Sequence, residues 1–213
     1  MLYAGIQTQS GGWRSKSDHT LISFRGGIFS RWGENKESPL GLDYVEMYNG
    51  GACYSSAVAD TSWVEGSFCS VRRPFAWTSG RYTFSLIKEE TILYNNAAHS
   101  WVAYDITTKA TNETTRIGRL LFEGEKLRPR STFAAFIEVY GSTKKVPSVT
   151  VTFGIPKVNG IELPLNRVSA HRPHITPNIT TITSEKRATT VVIDPCNPRP
   201  GPVSRAPEYF DFD

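Results

Sequence analysis

The stretch Trp77-Thr78-Ser79-Gly80-Arg81-Tyr82-Thr83-Phe84-Ser85-Leu86 decides the reading of the fold. Trp77 to Gly80 has turn composition, with a glycine free to take a positive φ. Tyr82, Phe84 and Leu86 then alternate with Arg81, Thr83 and Ser85. A period of two sends one set to a core face and the other to water, the mark of a half-buried strand. On this reading Trp77, Tyr82 and Phe84 build the core. Upstream, Gly66 to Arg73 reads as a loop.

The same grammar recurs along the chain. Thr20–Phe24 and Gly27–Trp32 read as two paired strands around the tight-turn composition Arg25-Gly26-Gly27. Asp43–Tyr48 reads as a strand stopped by Asn49-Gly50-Gly51. Lys88-Glu89-Glu90 reads as the cap of a hairpin leading to Thr91–Tyr94. Ser100–Thr107 is apolar on both alternating sets, as expected of a strand buried on both sides or of an edge contact. Ile117–Phe122 is a short apolar run, and Thr132–Tyr140 leans toward strand on its β-branched and aromatic content. Val149, Val151, Phe153 and Ile155 alternate cleanly with Thr150, Thr152 and Gly154. Beyond it, Ile161–Leu165, Ile175–Ile182 and Thr189–Ile193 are interrupted by Pro164, Pro173 and Pro177, as edge strands are. The expectation is an all-β, antiparallel sandwich, jelly-roll-like, over residues 1–157. Residues 158–194 form an extended segment with edge strands. Residues 195–213 form an extended Pro-rich tail. Its end, Tyr209-Phe-Asp-Phe-Asp213, reads first as a disordered end, and otherwise suits docking onto a partner or onto the domain itself.

Composition bounds the function. The 213 residues are 39% hydrophobic and 12% aromatic, enough for a packed core. The net charge is only +4, and the densest basic groups, Arg72-Arg73 and Lys144-Lys145, are mere pairs. That is not the footprint of a nucleic-acid binder. No apolar run approaches the roughly 20 residues of a membrane helix. The first residues, Met1 to Gln7, already read as strand, so a longer secreted chain with an N-terminus upstream is expected. Cys53 and Cys69 flank a loop-rich segment and are expected to bridge, for a stabilisation of roughly 3 kcal/mol. Cys196 is expected to stay unpaired. Asn112-Glu-Thr114 and Asn178-Ile-Thr180 are glycosylation sequons. Together these point to a secreted or extracellular protein.

Three stretches carry a family resemblance. The first is Tyr3-Ala-Gly-Ile-Gln7 followed by Ile28-Phe-Ser-Arg-Trp32. The second is Glu65-Gly66 with Trp77-Thr-Ser-Gly80-Arg-Tyr82-Thr-Phe84. The third is Phe136-Ile-Glu138. In this order they resemble the secreted family known as domain of unknown function three-four-seven-two, over about residues 1–154. Cys53 and Cys69 depart from its pattern. The resemblance implies a secreted β-sandwich and an association with glycans, and no established activity.

The candidate ligand residues are Trp13, Arg14, Tyr48, Trp63 and Glu65. Exposed indoles offer stacking platforms for the apolar face of a sugar, and Trp13 and Trp63 lie in loop composition. Trp32, Trp77 and Trp101 lie in or against strands and are assigned to the core. Arg14, Tyr48 and Glu65 are near enough in sequence to supply polar contacts. The carboxylates Asp43, Glu46, Asp60 and Glu65 keep a glycoside hydrolase or lyase open as a lesser alternative, since such an enzyme needs two opposed carboxylates. His171-Arg-Pro-His174 has metal-like spacing, but an extended chain points its histidines to opposite sides. No metal, cofactor or catalytic residue is assigned. The leading expectation is an extracellular binding module for carbohydrate or another surface ligand. The alternative is a structural or assembly protein docking or self-assembling through its C-terminal tail.

Overall fold

The computed structural model describes residues 2–33, 40–56, 66–128, 133–138, 146–164, 166–171, 177–201 and 207–212. Trp63, Glu65, Lys144-Lys145, His174 and the ends of the Thr132–Tyr140 run lie outside the described residues. The chain forms two compact units, Met1–Pro129 and Arg130–Asp213. The boundary falls before the clean strand at Val149 rather than at residue 157.

The first unit holds eight strands: β1 (Leu2–Trp13), β2 (Leu21–Trp32), β3 (Val45–Met47), β4 (Ala52–Ser55), β5 (Phe68–Pro74), β6 (Tyr82–Tyr94), β7 (Ala97–Thr108) and β8 (Glu113–Glu123). All pairings are antiparallel. One sheet has the order β1-β2-β5-β4 and closes on itself through a single pair, Trp13 with Cys53. The other has the order β3-β8-β7-β6. The all-β antiparallel sandwich is therefore present. Its order follows hairpins and a meander rather than the interleaved order of a jelly roll.

The core lies between the two sheets. Phe29, Val71, Cys53 and Cys69 come from the first sheet, and Val45, Val102, Tyr104, Ile106, Ile117 and Leu120 from the second. Phe29 and Tyr104 meet at 5.8 Å between ring centres. Gly118 lies so close to the facing sheet that a Cβ there would overlap both Val71 methyls and crowd the Glu46 carbonyl. Gly27 sits likewise against Ile117 and Ile106.

That close approach explains a misreading. Gly26-Gly27 is not a turn but the middle of the continuous strand β2, paired with β1 on one side and β5 on the other. A glycine inside a strand often marks a neighbour that tolerates no Cβ. The expected loop before Trp77 is also a strand, β5. Lys88-Glu89-Glu90 is no hairpin cap. β6 runs through it with an irregularity, and the turn to β7 is Asn95-Asn96, both at positive φ (49° and 60°). Two such residues make the mirror-image turn that suits a hairpin's twist.

The core list also needs correction. Trp77 is half-buried at the rim, where its indole N–H donates to the Gln7 carbonyl at 3.2 Å and Arg25 stands 4.7 Å over the ring. Phe84 is 45% exposed on β6, which forms an edge of its sheet. The side chains alternate as read from the sequence, but the face they point to is only partly covered. Trp101 is buried, yet on the outer side of its sheet.

The expected bridge between Cys53 and Cys69 is absent, and both are buried free thiols. Cys53 pairs with Val71 and Cys69 with Ser55, so the two stand diagonally across β4 and β5. Diagonal neighbours lie about 7–8 Å apart, beyond the usual span of a disulfide. Burial pushes the Cys69 thiol up to about 12 and raises that of Cys53.

The second unit holds β9 (Val149–Gly154), β10 (Lys157–Val158), β11 (Ile161–Glu162), β12 (Arg167–Ala170), β13 (Thr180–Glu185), β14 (Ala188–Ile193) and β15 (Glu208–Asp211). β14 is the central strand of the order β13-β14-β9, not an edge. Residues 133–138 form no strand. The end of the tail is not free. β15 pairs with β12, Arg167 meets Asp211 at 3.2 Å, and its guanidinium stands 4.2 Å over Tyr209.

Phe29→Ala should destabilise the first unit by about 3–5 kcal/mol, and Gly118→Ala by about 1–3 kcal/mol through overpacking. Phe84→Ala should cost only about 1 kcal/mol. Urea unfolding of the three variants checks the assignment. Equal losses for Phe84→Ala and Phe29→Ala would contradict it.

Candidate functional site

Trp13 ends β1 and points inward. It is 7% exposed, stacked on Tyr54 at 4.6 Å and covered by His19 at 4.5 Å. It is therefore a core residue and no surface platform, which corrects its assignment as a ligand residue. The stack continues across the first sheet through Phe68 to Trp32, which meets Tyr3 edge-on. Each inner ring of this row spends its faces on its neighbours.

Arg14, one residue on, turns outward, with 63% of its side chain exposed. It lines a cleft of about 460 Å³ together with Tyr48, so the structure brings these two expected residues together. Ile22 of β2 and Met47 of β3 give the cleft apolar wall, and Asn49, Gly50 and Gly51 close one end. That end is a β-turn in which the Gly51 N–H donates to the Tyr48 carbonyl at 2.9 Å. Gly50 takes φ = 78°, a conformation that favours glycine. Arg14 pairs loosely with Asp18 at 3.8 Å, an exposed contact worth little. Hydrogen bonds from Thr20 hold the Asp18 carboxyl below its usual range.

Tyr48 leads from the cleft to a charged cluster on the outer face of the second sheet. The Arg116 guanidinium stands 5.9 Å over its ring, with Nη1 3.5 Å from the phenol oxygen. Arg116 is bidentate to Asp105, with the second contact at 3.1 Å, and reaches Glu89 at 2.5 Å. Arg119 takes Glu89 at 3.0 Å, Glu46 at 2.8 Å and Glu90 at 2.5 Å. It also lies 4.8 Å over the indole of Trp101. Hydrogen bonding to Asp105 first, then to Glu89, holds Arg116 more firmly protonated than usual, despite burial. Burial works against the charge of Arg119, and its three glutamates outweigh it. Burial likewise raises the Glu89 carboxyl, but the two arginines overcome that and hold it below its ordinary value.

The sequence reading did not include this cluster. The available signal was two arginines, Arg116 and Arg119, inside an otherwise apolar strand, where a charge must find partners. It also passed over Ile22, Met47 and Asn49 as cleft residues. None of the cleft-lining residues is acidic, and among the described residues no group of three His, Cys, Asp or Glu is placed to hold a metal. Among the described residues no helix is long and apolar enough to cross a membrane. Asn112 stands exposed at the tip of the β7–β8 hairpin. Asn178 is half-buried in a turn, and Thr180 of its sequon is buried.

Comparison with family models, with curated proteins and with solved structures finds no match to this chain.

The depressed Glu89 value gives a signed prediction. Its stabilisation is fully present above the unfolded value of 4.5 and is lost as pH falls through the lower folded value. Glu89→Gln should therefore melt below the wild type at neutral pH. The two melting curves should converge as the solution is acidified well below pH 4.5. A gap that persists unchanged at low pH would show that the charge of Glu89 contributes nothing.

Proposed function

We propose that this chain is an extracellular binding module that takes a carbohydrate in the cleft between Arg14 and Tyr48. The observation that carries the reading is the content of that cleft. An aromatic ring, an amide, an exposed glycine turn and an outward guanidinium share one space with an apolar wall. Its volume falls in the range of about 300–1,000 Å³ common for small-molecule sites. A sugar needs both surfaces at once, an apolar one for its C–H face and polar ones for its hydroxyls. Arg14 suits an acidic substituent, because its planar fork matches a carboxylate or sulfate in two bonds. Among the described residues the lining holds no carboxylate pair, which favours binding over hydrolysis. An exposed sequon at Asn112 fits an extracellular setting, and the sequence's resemblance to a secreted family is in keeping with it. The buried thiols do not oppose it, since burial keeps them unreactive.

A second reading, assembly through the C-terminal tail, has one observation in its favour. Among the described residues the strand β15 pairs with β12 in a sheet of two strands, a form that is marginal by itself. A strand in so small a sheet, after a Pro-rich segment, is suited to exchange with another copy. Light scattering of the full-length chain and of one cut after Ile193 separates this reading from the first.

Arg14→Ala and Tyr48→Ala should each reduce retention on acidic polysaccharide in affinity electrophoresis. The melting temperature of Arg14→Ala should stay that of the wild type. Retention unchanged in both variants would remove the cleft as the binding site.

A further inference from the structure

We propose that the free edge of β6 is an interface between two copies of this chain, paired antiparallel about a two-fold axis at Ser85. β6 is 13 residues long and forms one edge of its sheet. Its outward backbone groups have no strand beside them among the described residues. Such an edge is a template for another strand, and native proteins blunt it with charges, bulges or short length. Here the blunting is confined to one half. The irregularity at Glu89-Glu90 interrupts the ladder, while Tyr82 to Lys88 stays regular against β7.

That regular half is also where apolar side chains are left uncovered. Phe84 is 45% exposed, Leu86 48% and Ile87 40%. Phe84 and Leu86 pair across β7 with Ile106 and Tyr104, so they extend the core face past the sheet edge. Phe84 already meets Tyr104 edge-on at 6.0 Å. A second strand beside β6 would continue that face and cover both.

The sequence favours a copy of itself as that strand. With Ser85 on the axis, Phe84 stands opposite Leu86 of the second copy, and Leu86 opposite its Phe84. Thr83 stands opposite Ile87, and Tyr82 opposite Lys88. At the ends, the exposed Arg81 comes toward the acidic pair Glu89-Glu90 of the second copy, whose carboxylates also hold Arg116 and Arg119. No like charges are opposed. Other centres lose this match: an axis at Ile87 sets Phe84 against Glu90, and an axis at Phe84 sets Arg81 against Ile87. Cross-strand apolar pairs stabilise a sheet and opposed like charges destabilise it, so register follows from this arithmetic. The result is an isologous dimer with one eight-stranded sheet, the commonest kind of closed symmetry.

The test uses the full chain with Cys196→Ser, which removes the exposed thiol. Residues directly opposite in an antiparallel pair have Cα atoms about 4.5–5.5 Å apart, within disulfide range. Ser85→Cys should therefore form a covalent dimer under mild oxidation, and Thr83→Cys should not. Leu86→Lys should keep the far-UV circular dichroism of the wild type, and light scattering should show its dimer weakened at least about tenfold. A wild type that stays monomeric up to roughly 0.5 mM would overturn the proposal. So would crosslinking of Thr83→Cys as readily as Ser85→Cys, or a dimer indifferent to Leu86→Lys. A dimer through the tail strand would fail the same crosslinking pattern.

Discussion

β7 is buried on both faces from His99 to Ile106, and within the first unit the opposing sheet packs against its inner face. A two-layer sandwich covers the inner set, Val102, Tyr104 and Ile106, and leaves the outer set to find its own cover. Trp101, Ala103 and Asp105 are covered by side chains of their own sheet. Arg119 lies across the indole, and Arg116 grips Asp105. Long basic side chains can bury their stems on apolar surface while their heads stay solvated or paired. The four carboxylates around them are what allow two guanidiniums to lie flat on the sheet. Removing one partner from such a set leaves a half-buried charge without part of its counterpart, at a cost that solvent screening reduces below that of a fully buried pair.

That cover also fixes the geometry of the cleft. β3 is only three residues long and hangs on β8 through three pairs. Glu46 of this strand is held by Arg119, and Tyr48 just beyond it is met by Arg116. The turn that closes the cleft therefore starts from a tethered residue rather than a loose one. The polar cluster thus acts twice, as a lid for β7 and as an anchor for the wall carrying Tyr48. A site built on anchored elements keeps its geometry better than one on a free loop.

The alternation in Ser100–Thr107 was legible, because double apolar faces leave a plain signature in sequence. So was the turn at Asn49-Gly50-Gly51. The glycines at 26 and 27 were not, since turn and close approach use the same residue for different reasons. What separates them is the presence of Ile117 and Arg73 nearby, which sequence order does not reveal. The cysteines misled in a similar way. Their spacing matched a bridged loop, but pairing register placed them one diagonal apart. Trp13 was misassigned because its neighbours Gly11 and Gly12 suggested a loop. Those glycines instead let β2 and β4 approach β1 so closely that the strand pairs on both sides. Arg14, the next residue, turns outward and is exposed.

Burial of Trp13 changes which ring can meet a ligand. In the row His19, Trp13, Tyr54, Phe68, Trp32, the inner rings have a stacked neighbour on each side. Stacking geometry rewards such rows by about 0.5–1.5 kcal/mol per pair beyond area, so opening one to admit a sugar would forfeit two contacts. Tyr48 is under no such constraint. It is held by one cation and lines open space. The aromatic richness of the first unit is thus mostly structural, and on the proposed reading Tyr48 is the cleft's ring left to meet a ligand, between the apolar Ile22 and Met47 and the polar Arg14 and Asn49.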